Sequence, residues 1–132
     1  MDKKDTLETR NTLLATLEME MVETTKERVV ARMPVTPKVH QPYGLLHGGA
    51  SVALAETVAS LGGVLNVDRT KESVVGLEIN ANHLRAVRDG VLTAVATPIH
   101  VGRRTHVWEV RITDQNDKLV CVSRCSLAVV PL

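Results

Sequence analysis

The sequence predicts an α+β fold in which one antiparallel sheet curls around a single apolar helix. Two observations carry the prediction. The run HGGASVALAETVASLGG, from His47 to Gly63, holds one carboxylate, Glu56, in a field of Gly, Ala, Val, Leu and Ser, and no other side chain between Lys38 and Asp68 carries a fixed charge. A helix poor in charge nearly all round is a buried one. From Val74 onward the apolar residues instead recur with period two in four successive runs, the pattern of half-buried strands in a meander. A sheet with one apolar face and a largely apolar helix cover one another.

Each element has its own signal. Thr6 to Val22 suits a helix, with Leu7, Leu14, Leu17 and Met21 near helical spacing and Thr6 placed to cap the start. Glu27 to Val35 alternates Val29, Ala31, Met33 and Val35 against Val30, Arg32 and Pro34, a strand with Pro34 near its end. Thr36 to Gly44 carries two prolines and reads as a loop. The apolar helix follows, from about Gly48 to Asn66; Gly62 and Gly63 weaken it in isolation but allow other backbone to approach closely when packed. Val74 to Val87 is a strand with Leu77, Ile79 and Ala81 on one face and Glu78, Asn80 and Asn82 on the other. The Asp89-Gly90 turn, a favoured hairpin signal, leads into Val91 to Val101. Arg104 to Thr113 sets His106, Trp108, Val110 and Ile112 opposite Val107, Glu109 and Arg111. Asp114 to Asp117 turns the chain into the last strand, Lys118 to Val130. No repeat or linker interrupts this order, so a single domain over residues 1–132 is expected.

Composition narrows the classes of function. At 132 residues the chain is long enough to bury a core. Phe is absent and Tyr43 and Trp108 stand alone, so Val, Leu, Ala and Ile must fill that core. A net charge of +1 gives no field that favours nucleic acid or an anionic membrane. The N-terminal MDKKDTLETRN is charged from its second residue, unlike a secretory signal, and Ser51, Glu56, Thr57 and Ser60 interrupt the most apolar window, against a membrane span. A cytoplasmic protein is expected. Cys121 and Cys125, four residues apart on one strand, have Cα atoms ~13 Å apart, beyond disulfide reach, and are expected to be reduced. The five His show no HExxH or paired CxxC spacing, so no metal is expected.

The chemistry concentrates in the apolar helix. Its leading N–H groups lack partners and carry the positive end of the macrodipole. Gly48 and Gly49 have no Cβ, so a ligand oxygen can approach the backbone there, and such an end stabilises an oxyanion. The plainer alternative is that the glycines only shape a tight turn. An unpaired carboxylate in an apolar setting is costly, and such a setting can make Glu56 a general base or nucleophile; otherwise Glu56 lies on an exposed face or pairs with a basic side chain. Glu56 is about two turns from Gly49, so their Cα atoms lie ~10 Å apart. One reacting carbonyl cannot easily touch both on one chain. Two such helices running antiparallel across a two-fold axis bring each N-terminus to the partner's carboxylate, giving two equivalent sites per dimer. Ser60, one turn beyond Glu56, either helps hold a water or the carboxylate or is a small residue chosen for packing. Gln41 and His47 flank the helix start and either donate hydrogen bonds to a carbonyl or orient the turn.

QPYGLLHGGASVALAE, from Gln41 to Glu56, resembles the signature of the hotdog-fold acyl-CoA thioesterases. It is most similar to the phenylacetate-type branch, which includes Arthrobacter-type 4-hydroxybenzoyl-CoA thioesterases and hydrolases of 1,4-dihydroxy-2-naphthoyl-CoA from the menaquinone pathway. The likeness continues through VVGLEINANHLR (Val74 to Arg85) and HVGRRTHVW (His100 to Trp108) and covers the chain from about Glu27 onward; an extra helix at Thr6 to Val22 is also common in the branch. The resemblance implies a sheet wrapped around the central helix, in dimers that pair into homotetramers. It implies Glu56 as the catalytic carboxylate, the N–H of Gly48 or Gly49 as the donor to the thioester carbonyl, Gln41 and His47 assisting from the opposite subunit, and Ser60 beside Glu56. His83, Arg85, Arg103 and Arg104 match positions near the CoA nucleotide and phosphates, while Arg103 and Thr105 depart from the small polar residue and the His expected of close relatives. No separate cofactor is implied, since CoA belongs to the substrate.

These residues predict hydrolysis of an acyl-CoA, with an aromatic acyl group favoured by the resemblance alone. A hotdog enoyl-thioester hydratase or dehydratase is one rival, since Glu56 and His47 would also serve acid-base chemistry at adjacent carbons. A non-catalytic acyl-CoA sensor is the other, although a sensor has no need of a desolvated carboxylate beside the thioester. The HGG of serine esterases does not apply, because the chain has no GxSxG elbow.

Overall fold

A computed structural model describes residues 6–132 of the chain. A 3-10 turn (Leu7–Thr9) and a single helical turn α1 (Leu13–Thr16) precede strands β1 (Glu20–Thr24) and β2 (Val29–Pro34). A second 3-10 turn (Pro37–Val39) leads to the long helix α2 (Gly48–Leu65), and β3 (Glu72–His83), β4 (Val91–Val101), β5 (Thr105–Thr113) and β6 (Leu119–Pro131) complete the chain. The six strands form one antiparallel sheet in the order β1-β2-β4-β5-β6-β3, with β1 and β3 at its edges.

The sheet's inner face covers α2. Val29, Ala31 and Met33 of β2, Leu92, Ala94 and Ala96 of β4, Trp108, Val110 and Ile112 of β5, and Cys121, Cys125 and Leu127 of β6 are buried together with Leu54, Ala55, Val58 and Ala59 of α2. Small residues on the helix make this possible. A Cβ on Gly62 would lie 2.5 Å from the Trp108 ring, and one on Gly63 would lie 2.5 Å from Leu127. By length and composition α2 would also suit a membrane span, but eight of its eighteen residues are buried inside the protomer. Cys121 and Cys125 are free, buried thiols. At the Asp89-Gly90 turn, Gly90 adopts φ +88°, a conformation that suits glycine.

The helix expected over Thr6 to Val22 does not form. After the single turn of α1 the chain passes through Glu18 at φ +59° and becomes β1, which pairs with β2 from Glu20↔Arg32 to Thr24↔Val29. The helical spacing of Leu14, Leu17 and Met21 instead serves packing against the core, beside fully buried Met19. The open ladder of β2 decides the outcome, because tertiary pairing overrides a weak local preference. The expected strand at Val74 to Val87 stops at His83, and its facing differs. A bulge skips from Gly76↔Leu127 to Glu78↔Ser126, so Leu77 is the extra residue and points outward, 60% exposed. Val74 before the slip and Ile79 and Ala81 after it pack against the core.

Candidate active site

The start of α2 is held by the loop before it. His47 donates its N–H to the Val39 carbonyl at 2.8 Å, and Leu46 donates to Val87 at 2.7 Å. These bonds fix His47 as the N-cap, with φ −71° and ψ 129°. Its Nδ1 accepts the Gly49 N–H at 2.7 Å, and its carbonyl accepts from Ala50 at 3.0 Å and Ser51 at 3.4 Å. An accepting Nδ1 leaves the neutral imidazole's proton on Nε2, free to donate outward. Of the two glycine N–H groups expected at the oxyanion end, that of Gly49 is therefore engaged. Among the described residues no acceptor takes the Gly48 N–H. Gln41 uses its carboxamide oxygen to accept the Tyr43 N–H, which leaves its amide NH2 as a free donor.

Gln41, Gly48, Ser51, His83 and Arg85 line one groove of about 440 Å³. A Cβ on Gly48 would lie 2.9 Å from His83 Nε2, so the imidazole rests against the helix tip. The Ser51 hydroxyl, one turn along, is buried without a hydrogen-bond partner. Glu56 does not reach this groove. With Gly49 and Ser60 it lines a second, more apolar cleft of about 630 Å³, walled by Leu13, Leu61 and Val74. Eight residues along α2 separate Gly48 from Glu56, ~12 Å of rise. The carboxylate lies against Gly76 of β3. Its charge is also felt at Cys125, whose thiol is pushed up to about 11 by burial first and then by Glu56 and Glu78.

The four side chains expected near CoA separate into two pairs. His83 and Arg85 line the helix-tip groove, whereas Arg103 and Arg104 are exposed on the β4–β5 turn. His83 pairs with Cys121 and Thr105 with Ala128 of the same strand, β6. The pairs thus sit at opposite ends of the sheet, ~23 Å apart at seven strand residues. Among the described residues no three His, Cys, Asp or Glu side chains converge as a metal site would require. Ser51 and Gly76 were not singled out from the sequence. A glycine inside a strand pattern, as in VVGLEIN, is the signal that marks Gly76 as a place of bulge or close approach.

Residues 43–121 match the family described as the thioesterase superfamily. The chain belongs to that superfamily. This thioesterase is 50% identical over 117 residues to the 1,4-dihydroxy-2-naphthoyl-CoA hydrolase of Listeria monocytogenes, over 89% of this chain and 94% of that protein. Its fold matches a crystal structure of a mutant thioesterase from Pseudomonas aeruginosa with a TM-score of 0.90 at 48% identity, covering 92% of this chain and 88% of that one. A hypothetical thioesterase protein from Streptococcus pneumoniae, solved with coenzyme A, matches with a TM-score of 0.81 at 29% identity, covering 89% and 91%. The family resemblance read from QPYGLLHGGASVALAE is thereby shown, and with it the α+β hotdog fold and the assignment as a thioester hydrolase.

Proposed function

We propose that the protein hydrolyses the thioester of an aryl or hydroxyaryl acyl-CoA to a free acid and CoA, at two equivalent sites shared across a homodimer. The observation that carries this reading is the division of α2. Its unpartnered Gly48 N–H opens into one groove and Glu56 into another, so each protomer offers two half-sites. Two antiparallel copies of α2 set the Glu56 carboxylate of one against the helix tip of the other. The free backbone edge of the twelve-residue strand β3, with Val75 and Leu77 exposed on it, supplies an unpaired ladder for a second copy, and a pair of such dimers makes the tetramer. The same symmetry brings cations from two chains to one ligand, which supports His83, Arg85, Arg103 and Arg104 as phosphate contacts.

In this arrangement Glu56 takes a proton from water as the water attacks the thioester carbonyl, or attacks the carbonyl itself and leaves an anhydride for water to open. The Gly48 N–H, the Gln41 amide and His47 Nε2 donate to the oxygen as negative charge gathers on it. Collapse breaks the C–S bond, and the CoA sulfur leaves as thiolate and takes a proton, from Glu56 in the first route and from water in the second. Ser60 lies beside Glu56 in the apolar cleft, whose walls suit a flat aromatic acyl group. The relative from Listeria makes 1,4-dihydroxy-2-naphthoyl-CoA the first substrate to test, with 4-hydroxybenzoyl-CoA beside it.

Thiol release from benzoyl-, 4-hydroxybenzoyl-, 1,4-dihydroxy-2-naphthoyl-, acetyl- and palmitoyl-CoA tests the reading. Aromatic thioesters are expected to turn over fastest, and Glu56→Ala to lose about 10²–10⁴-fold in kcat while still binding them. Unchanged turnover in Glu56→Ala rejects the assignment. Consumption of added crotonyl-CoA without thiol release would indicate a hydratase, and binding without turnover in the wild type a sensor.

A further inference from the structure

We infer that Gly76 is a positioning residue for the hydrolysis, a notch in β3 that seats the Glu56 carboxylate. The inference rests on the reading of Glu56 as the reacting acid. A Cβ built on Gly76 would lie 2.6 Å from Glu56 Oε1 and 3.7 Å from its Cδ. The carboxylate oxygen therefore occupies the space that a side chain at position 76 would fill. Gly76 is not among the residues with positive φ, so alanine fits the backbone, and the glycine is explained by space rather than by conformation. No donor among the described residues hydrogen-bonds the Glu56 carboxylate, which rests against the bare backbone of Gly76.

The bulge in β3 supports the same assignment. Val74 packs inward, and Gly76 follows it two residues on, facing α2. The register then slips at Leu77, and Ile79 and Ala81 turn inward instead. Bulges beside reacting groups re-aim what the strand presents. Here the slip lets Val74 before it and Ile79 and Ala81 after it pack inward, while position 76 presents no side chain to the carboxylate. A methyl group at position 76 would push the flexible Glu56 side chain aside, and a displacement of about 1 Å can cost about 10²-fold in rate.

The test is a double-mutant cycle on kcat and KM for benzoyl-CoA, with thermal midpoints measured alongside. Gly76→Ala is expected to lower kcat about 10²-fold with KM and thermal midpoint near those of the wild type. In the Glu56→Ala background the same substitution should change nothing further, because its effect passes through the carboxylate. A Gly76→Ala enzyme within about two-fold of wild type overturns the inference, and so does an equal loss in both backgrounds. Should Gly76→Ala fail to fold, Glu56→Ala/Gly76→Ala decides. Recovery of the folded state supports the notch, and continued unfolding shows that the glycine serves the strand. Full activity in Glu56→Ala alone is the separate result that removes the underlying reading, and the notch with it.

Discussion

At the scale of single residues, burial sets which groups change charge on folding. His106 is 1% exposed and its Nδ1 has no hydrogen-bond partner. Burial first, and then the charge of His100, hold it below its ordinary 6.5. The unfolded chain thus binds this proton more readily, so the stability it contributes is complete above 6.5 and is lost as pH falls below it. The thiols act on the other side. Burial raises Cys121 and Cys125 from an ordinary 9.0, Cys125 to about 11. Their contribution is whole below 9.0 and is lost as pH rises toward 11. Urea midpoints are therefore expected to be flat between these limits and to fall on both sides, with the first acid loss reduced in His106→Gln. A wild-type midpoint unchanged down to about pH 5 would contradict the assignment. Legibility at this scale followed contrast. Glu56 stood out in the sequence as a lone charge among apolar residues, whereas the proposed role of Gly76 depends on the carboxylate that lies opposite it in space, which no neighbour in the chain announces.

The elements show a different division. Five of the six strands and α2 were legible, the strands because burying one face writes a period of two into the sequence, and α2 because the side it buries and the side that lines a cleft are both nearly free of charge. β1 was not legible. Its residues Glu20 to Thr24 form a strand only because β2 offers them an open edge, a non-local cause that leaves the local pattern looking helical. The end of β3 and the outward turn of Leu77 were missed for a related reason, since a single bulge inverts the alternation beyond it. Glu8 shows how the first segment is held without a long helix: its carboxylate accepts the Met21 N–H at 3.0 Å. The contact of α2 with β5 gives a direct test of the packing. Gly62→Ala would drive a methyl group into the Trp108 ring, and overpacking of this kind is expected to cost about 1–3 kcal/mol. A urea midpoint equal to that of the wild type would show that α2 does not lie so close to β5.

At the scale of the whole molecule, the proposed shared site makes each protomer half of a machine. Glu56 and the Gly48 N–H face different grooves, and His83 and Arg103 lie at opposite ends of one sheet. Helix spacing alone anticipated the first separation, because rise per residue is fixed whatever the sequence. The second became visible only with strand register. Complementation between two disabled chains reads the shared site directly. Glu56→Ala removes the acid. Gly48→Pro removes the N–H at the first helical position, which suits the proline backbone although its ring must push the His83 imidazole aside, and is expected to cost at least about 10²–10³-fold in kcat. After the two inactive proteins are mixed and allowed to exchange subunits, each hybrid dimer holds one site with both lesions and one with neither. Thiol release is then expected to recover to about a quarter of the wild-type rate. A mixture no more active than its components, despite proven exchange, would show that each chain works with its own acid and its own helix tip.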